Sequence, residues 1–594
     1  MLGTSQKRFS STIAAFCDGK PPNGPKPTLL LNAVRADGPA NRVPYHEPVA
    51  STDILEVEWQ FAAPDIAGVA SWLAEARVPG YTVTPGPTKD LHDTYFDSPD
   101  WRIHAARYTC RVRTKGASSE LTLKAMAEAQ SSMRSRRELT ETLERAERAL
   151  AQAPERTELA SPVFAPGPAG QLIRTAVGRR PVMPIFSLHT HRQTFVLADE
   201  AGTIGEIAVD ETTVPVAETE PYRFSRVEVE VDADAVERAG RFVDLLVAAG
   251  GLTPAGSSKF EAALAATGQA VPGPVSLGPV EVVGTQTAAE TAYAILRKQF
   301  GAFLANEAGT RLGDDIEALH DMRVASRRLR AAMSAFGQYL PPRMQPLRDQ
   351  LGWVASALGV VRDLDVQIER LPEWREGFTP EQIVAVDAIE AILRGRRDAA
   401  RKRMLAVLDS RRYDVFVLRF AAALRRGPPK RFGAGQEPIL AVAPDLVERR
   451  YKRLDRDGGR IHRNSPPDAY HALRIESKKL RYALEFVGPI YGKAAISFSK
   501  RVTELQDVLG LHQDAYVAMA MLQELAATSA RKLGPNALLT MGAIAERYRQ
   551  HGVELRAQFP KVFKPLTGVD WTRLLKTMES RRAPAPAPSA ASRL

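Results

Sequence analysis

The polarity pattern changes character once along the chain. Between residues 51 and 268 apolar and polar positions alternate in short runs, the two-residue period of half-buried strands. Such runs cover 54–61, 107–115, 119–126, 136–143, 189–198, 203–214 and 223–232. Helical spacing interrupts them at 63–76, 143–153, 234–249 and 258–267. From about 285 to 575 the apolar period lengthens to that of helices, in long segments rich in Ala, Leu and Arg. The pattern predicts an α+β domain over 51–268 and an all-α domain over 285–575. Residues 1–50 hold no sustained period and are expected to be a disordered leader. Residues 269–284, with PGP and LGP, read as a linker, and 576–594 as a disordered tail.

The helical half contains a duplication. HDMRVASRRLR at 320–330 matches HALRIESKKLR at 471–481, an offset of 471 − 320 = 151. The same offset carries LGVVRD (358–363) onto LGLHQD (509–514), pairing Asp363 with Asp514. Two separated blocks in one register predict two copies of one helical unit, about 285–430 and 436–575. On a helix, His320, Arg323, Arg327 and Arg330 share one face, and His471, Arg474, Lys478 and Arg481 repeat it. Met322, Leu329, Ala332 and Phe336 lie on another face, as do Leu473, Leu480, Ala483 and Val487. Each helix therefore separates a core stripe from a cationic stripe, and Arg394, Arg397 and Arg401 share a face further on.

Composition adds direction to that pattern. The 594 residues carry a formal charge of +11, which favours an anionic partner. A row of guanidinium and ammonium groups suits repeated phosphate oxygens. Two cysteines, Cys17 and Cys110, are too few for a disulfide framework and fit a cytoplasmic setting. No apolar run approaches the roughly 20 residues that span a membrane. Nucleic acid is disfavoured, because no aromatic residue interleaves with the first basic face and no nucleic-acid motif is present.

Charge also patterns the strands. Glu56 and Glu58 alternate in EVEWQF, and Glu228 and Glu230 in VEVEV. Between them stand Arg111 and Arg113, Lys124, Arg136 and Glu138, Arg192, and Glu206 with Asp210, while Lys259 opens a helix. Charges on one face of many strands, apolar residues on the other, predict an antiparallel barrel with a charged interior. Paired carboxylates suit Mg²⁺ or Mn²⁺, hard ions that take oxygen ligands.

These motifs resemble two known families. The paired H-x-x-R-x-x-S-[RK]-[RK]-L-R helices, each followed by L-G-x-x-x-D, resemble the CHAD domain. That resemblance implies paired four-helix bundles binding polyphosphate through His320, Arg323, Arg327, Arg330, His471, Arg474, Lys478 and Arg481. EVEWQF, TYFDSP, RVR, TLK, RRE, EIAVD, EVE and SK occur in the order of the CYTH domain, a triphosphate tunnel metalloenzyme. It implies Glu56, Glu58, Glu228 and Glu230 as metal ligands, and Arg111, Arg113, Lys124, Arg136, Arg192 and Lys259 as triphosphate ligands. Glu138, Asp210 and Lys124 would serve catalysis, with Glu206 helping to hold the basic residues. The chain departs from E-x-E-x-K at Gln60, where a lysine is expected, and has His191 before Arg192. CYTH joined to CHAD resembles inorganic triphosphatases, which implies a Mg²⁺- or Mn²⁺-dependent hydrolase that acts on triphosphate and docks on polyphosphate granules. The alternative is a catalytically weak polyphosphate-binding protein.

Overall fold

The computed structural model describes residues 51–584 apart from 76, 116–117, 127–132, 144–160 and 431. The leader and the helix expected at 143–153 thus lie, wholly or nearly so, outside the described residues.

Eight strands close an antiparallel ring: β1 (Ser51–Ala62), β2 (Tyr81–Asp97), β3 (Tyr108–Lys115), β4 (Ser118–Ala125), β5 (Met133–Leu143), β6 (Met183–Asp199), β7 (Gly202–Val214) and β8 (Tyr222–Val231). The order is β5-β4-β3-β2-β6-β7-β8-β1, and β1 pairs again with β5. A two-residue β9 (Thr253–Pro254) adds to β1 at Phe61 and Ala62. β2 begins YTVTPGPTKD, whose prolines and glycine hide a strand from a pattern search, and its pairing with β6 slips between Pro85 and Thr88.

The two-residue period gives the ring two unlike surfaces. Val57, Trp59, Phe61, Ile207, Val209, Val227 and Val229 face outward into one core, covered by the helices Ile66–Glu75 and Val236–Gly250. Cys110, Val112, Leu121, Leu123 and Leu139 face a second core beneath the helix Pro168–Val177. That helix was absent from the sequence reading. The inward face is left to the charged residues.

The helical domain repeats its elements at the offset seen in the sequence. Ala288–Ala305 corresponds to Ile439–Gly458 (439 − 288 = 151) and Ile316–Ala335 to Pro467–Tyr491 (467 − 316 = 151). Gln345–Glu369 and Pro380–Leu408 correspond to one run, Lys493–Phe563, broken at Gly534. There φ is 75°, a left-handed value that glycine adopts without strain, and Pro535 restarts the helix. The last helix, Val569–Ser580, buries Met578, so ordered structure continues into the expected tail.

The two halves meet on a polar and an apolar contact. Ala308 and Leu312 pack against the core beneath Pro168–Val177. Arg311, 2% exposed, ties Glu307, Asp409 and the Leu408 carbonyl together. Gly178, at φ 59°, lies so close that a Cβ would meet Asp409 at 2.2 Å. Arg180 reaches across to Asp414 at 2.8 Å.

Candidate functional site

The inward faces of the strands enclose a cavity of about 210 Å³. Its walls include Glu56, Glu58, Glu228, Glu230, Arg111, Arg113, Lys124, Arg136, Glu138, Arg192 and Lys259, all singled out in the sequence. β1 contributes Glu56, Glu58 and Gln60 because alternate residues share a face, and the flanking Val57 and Trp59 are fixed in the outer core. Register places Glu58 opposite Glu230 and Gln60 opposite Glu228 on β8, gathering the carboxylates onto one wall.

Each of these carboxylates except Glu230 is tied to a cation. Lys124 lies 2.6 Å from Glu56 and 2.8 Å from Glu138. Arg136 pairs with Glu56 at 3.2 Å and also with Glu58. Asp210, fully buried behind the wall, holds Arg192 at 2.6 Å and pairs with Lys259. Glu228 takes both of those cations at 2.9 Å. Glu206 stands opposite Glu230 in the register and does not line the cavity.

Burial and neighbouring charges set the electrostatics. Glu58 is pushed up to about 7, chiefly by burial, with Glu228 and Glu56 adding to it against Arg136 and Lys124. Burial also raises Glu230, and Glu56 adds to this. Glu228 goes the other way. Burial opposes its ionisation, but Lys259 and Arg192 outweigh that and hold it well below the usual carboxylate range. Among the described residues no three His, Cys, Asp or Glu side chains are gathered closely enough to form a ready metal cluster. The carboxylates of the wall, Glu56, Glu58, Glu228 and Glu230, nevertheless offer oxygen donors gathered by the β1–β8 register. An all-oxygen donor set of this kind fits a hard divalent cation such as Mg²⁺ or Mn²⁺.

Arg134 on the wall and Asp93 behind it escaped the sequence reading, whereas Gln60 was singled out there. Asp93, on the undetected β2, binds Arg113 through two hydrogen bonds of 2.7 and 2.8 Å. Arg134 precedes Arg136 by two and shares its inward face. Gln60 donates to Glu58 at 2.7 Å and to Glu228 at 3.3 Å. The parity of β5 also separates Arg136 from Arg137, which points outward to Asp53 at 2.8 Å.

The helical domain brings its two stripes together. Arg327, Arg474 and Lys478 are half-buried, and burial depresses each of them, with neighbouring cations of both stripes adding to it. Lys478 is lowered to about 7, first by burial and then by Arg474, Arg327, Arg323 and Arg481. The Nε atoms of Arg327 and Arg474 are buried without a hydrogen-bond partner, and so is Nδ1 of His471, while Arg481 pairs with Glu485 at 3.5 Å and Arg323 with Asp363 at 3.1 Å. Arg330 is exposed and His320 half-buried on the same faces. Tyr482 lies beneath both stripes, 6.0 Å from Arg327 and 5.4 Å from Arg481. The third basic row is different. Arg394 binds Glu390, Arg397 binds Asp365, and Arg401 caps the carbonyls of Thr310 and Leu312. Its charges are engaged within the protein, so it does not form a further anion face.

A charged antiparallel tunnel joined to a duplicated helical domain defines the class. The chain carries a CYTH domain, matched over residues 57–253, followed by a CHAD domain, matched over 294–523. Two uncharacterized Mycobacterium tuberculosis proteins, one from each of two strains, are 25% identical over 516 residues, 80% of this chain and 90% of theirs. The CHAD domain of the plant Ricinus communis aligns at 24% identity over 53% of this chain and 99% of its own, with a TM-score of 0.37. A Hippeastrum protein described as having a dominant triphosphatase activity aligns at 16% identity over 36% of this chain and 98% of its own, with a TM-score of 0.28. Among the described residues no helix is long and apolar enough to cross a membrane.

Proposed function

We propose that this chain is a metal-dependent inorganic triphosphatase whose helical domain binds polyphosphate. The observation that carries the reading is the tunnel wall itself, where four glutamates face Arg111, Arg113, Lys124, Arg136, Arg192 and Lys259 across one cavity. A linear triphosphate needs cations for its oxygens and carboxylates for its metal, and both sets are present. Bound at Glu56, Glu58, Glu228 and Glu230, Mg²⁺ or Mn²⁺ would neutralise phosphate charge and activate water. The protein's own residues do the rest. Arg111 and Arg113 are held by Asp93, and Arg192 and Lys259 by Asp210, so these donors meet the substrate already oriented. Lys124 and Glu138 form a pair at 2.8 Å that can pass charge to the leaving group or orient the attacking water.

The two basic faces of the helical domain support the second part. Their cations lie close together, two of them with unused donors, which is the condition that a polyanion relieves. Release of phosphate from inorganic triphosphate by the full chain, with Mg²⁺ or Mn²⁺ and with a chelator, tests the enzyme reading. Absence of metal-dependent release would leave the alternative, a polyphosphate-binding and granule-associated protein. Gln60 favours that alternative, since it puts a neutral amide where a cation is expected.

A further inference from the structure

We infer that Arg134 supplies, from the neighbouring strand, the substrate-binding cation that Gln60 leaves out of the first strand. This rests on the triphosphatase reading of the tunnel and names a contact that no motif assigns. Gln60 is 4% exposed, and its amide nitrogen serves Glu58 and Glu228. The inward face of β1 therefore holds two carboxylates and no cation at this end. Arg134 stands directly across from Glu58 in the β1–β5 register. That makes it a diagonal neighbour of Gln60, a separation of roughly 7–8 Å that a long side chain spans.

Its surroundings differ from those of the other tunnel cations. Arg136, two residues on, is engaged by Glu56 and Glu58. Arg134 lines the cavity at 6% exposure, with its Nε buried and lacking a hydrogen-bond partner. A second guanidinium, Arg226 of β8, sits near enough to feel it, being depressed by burial first and by Arg134 in addition. A buried guanidinium with an idle donor and a like charge nearby gains from an anion. Arg134 and Arg136 then form a two-residue cationic track on β5, extended past Glu58 toward Gln60.

The test uses the full chain and inorganic triphosphate, with affinity measured by calorimetry in chelator and turnover in Mg²⁺. Arg134→Gln is expected to weaken triphosphate binding about tenfold or more, the worth of one charge-assisted hydrogen bond. Gln60→Lys in the Arg134→Gln background is expected to restore most of that loss, because the cation returns on the adjacent strand. The same Gln60→Lys change in the wild type is expected to do much less. Arg134→Lys, which keeps the charge, guards against misfolding of the glutamine variant and is expected to bind within a few fold of wild type. Rescue by a lysine on a different strand is a readout that a purely structural arginine would not give. If wild type binds triphosphate and Arg134→Gln binds equally well, or if Gln60→Lys rescues nothing, this inference falls alone. If wild type itself binds no triphosphate, the tunnel reading falls with it.

Discussion

The tunnel and the two basic helix faces both gather cations, and they treat them differently. In the tunnel burial is offset by carboxylates: Lys124, Arg136 and Arg192 are all raised despite desolvation, by Glu58, Glu56 and Asp210 among others. On the helix faces burial is the leading cause of a fall in Arg327, Arg474 and Lys478, and neighbouring cations add to it. The difference separates two uses of positive charge. Paired cations are fixed in place before substrate arrives, which suits chemistry at one position. Cations crowded together with few partners hold attraction in reserve, which suits binding of a long polyanion.

The largest effect should come from breaking the tunnel's pairing. Glu56→Gln or Glu228→Gln removes a hard ligand and a negative charge while keeping the side chain's shape. Metal-dependent release of phosphate from triphosphate is expected to fall at least about a hundredfold, since even second-shell partners of a metal cost ten- to a hundredfold. The fold should persist, because Asp210 still holds Arg192 and Lys259 when Glu228 is neutral. Wild-type rates in both variants would remove the glutamates from the metal site.

Breaking the basic helix faces should spare that chemistry. Alanine at Arg323, Arg327 and Arg330, or at Arg474, Lys478 and Arg481, is expected to cost long-chain polyphosphate about a hundredfold in affinity through lost effective concentration. Triphosphate hydrolysis should continue, and the salt dependence of polyphosphate binding should flatten as fewer counterions are displaced. A salt titration of each triple variant and of the combined one checks this. Unchanged affinity in the combined variant would end the polyphosphate reading.

Lys478, crowded by other cations, also predicts a pH dependence. Lys478 is depressed to about 7, and only its protonated form attracts phosphate. Polyphosphate affinity should therefore decline as pH rises through about 7, and binding should take up protons there. Lys478→Arg, which stays charged, should level the profile between about pH 6 and 9. For the unbound chain the sign is that of a depressed group. Its contribution to stability is full above the ordinary lysine value and lost as pH falls through about 7. Binding measured across pH for the two proteins decides the matter, and parallel profiles would exclude Lys478.

How much of this was readable in advance depends on the range of the interaction. Alternation on β1 and β8 is local, so the carboxylate pairs could be placed from neighbours two residues away, whereas the choice of Arg136 over Arg137 waited for the β1–β5 register. The duplication was equally plain, because the 151-residue offset survives in both sequence and helices. β2 escaped because Pro85, Gly86 and Pro87 interrupt its alternation, and with it went Asp93. The helix Pro168–Val177 opens on a proline directly after SPVFAPG, whose prolines and glycine read as loop. The fate of Arg401 was out of reach for another reason. Its partners, the carbonyls of Thr310 and Leu312, are about ninety residues away in sequence, and only the tertiary fold brings them together.

The smallest effect makes the sharpest control. Arg136 and Arg137 are adjacent, and the β5 pleat sends one into the tunnel and the other out to solvent. Arg136 touches Glu56 and Glu58. Arg137 touches Asp53 at 2.8 Å, with both side chains more than two-fifths exposed. An exposed pair of this kind contributes about 0–1 kcal/mol. Arg137→Ala is thus expected to lower stability by no more than that and to leave triphosphate turnover at the wild-type rate. Arg136→Ala should abolish most turnover, because it strips a cation from the cavity and leaves Glu58 buried with less compensation. Paired melting curves and rates for the two variants check the register of the whole strand. If Arg137→Ala were the more damaging for catalysis, every inward assignment on β5, Arg134 and Glu138 included, would move to the opposite face.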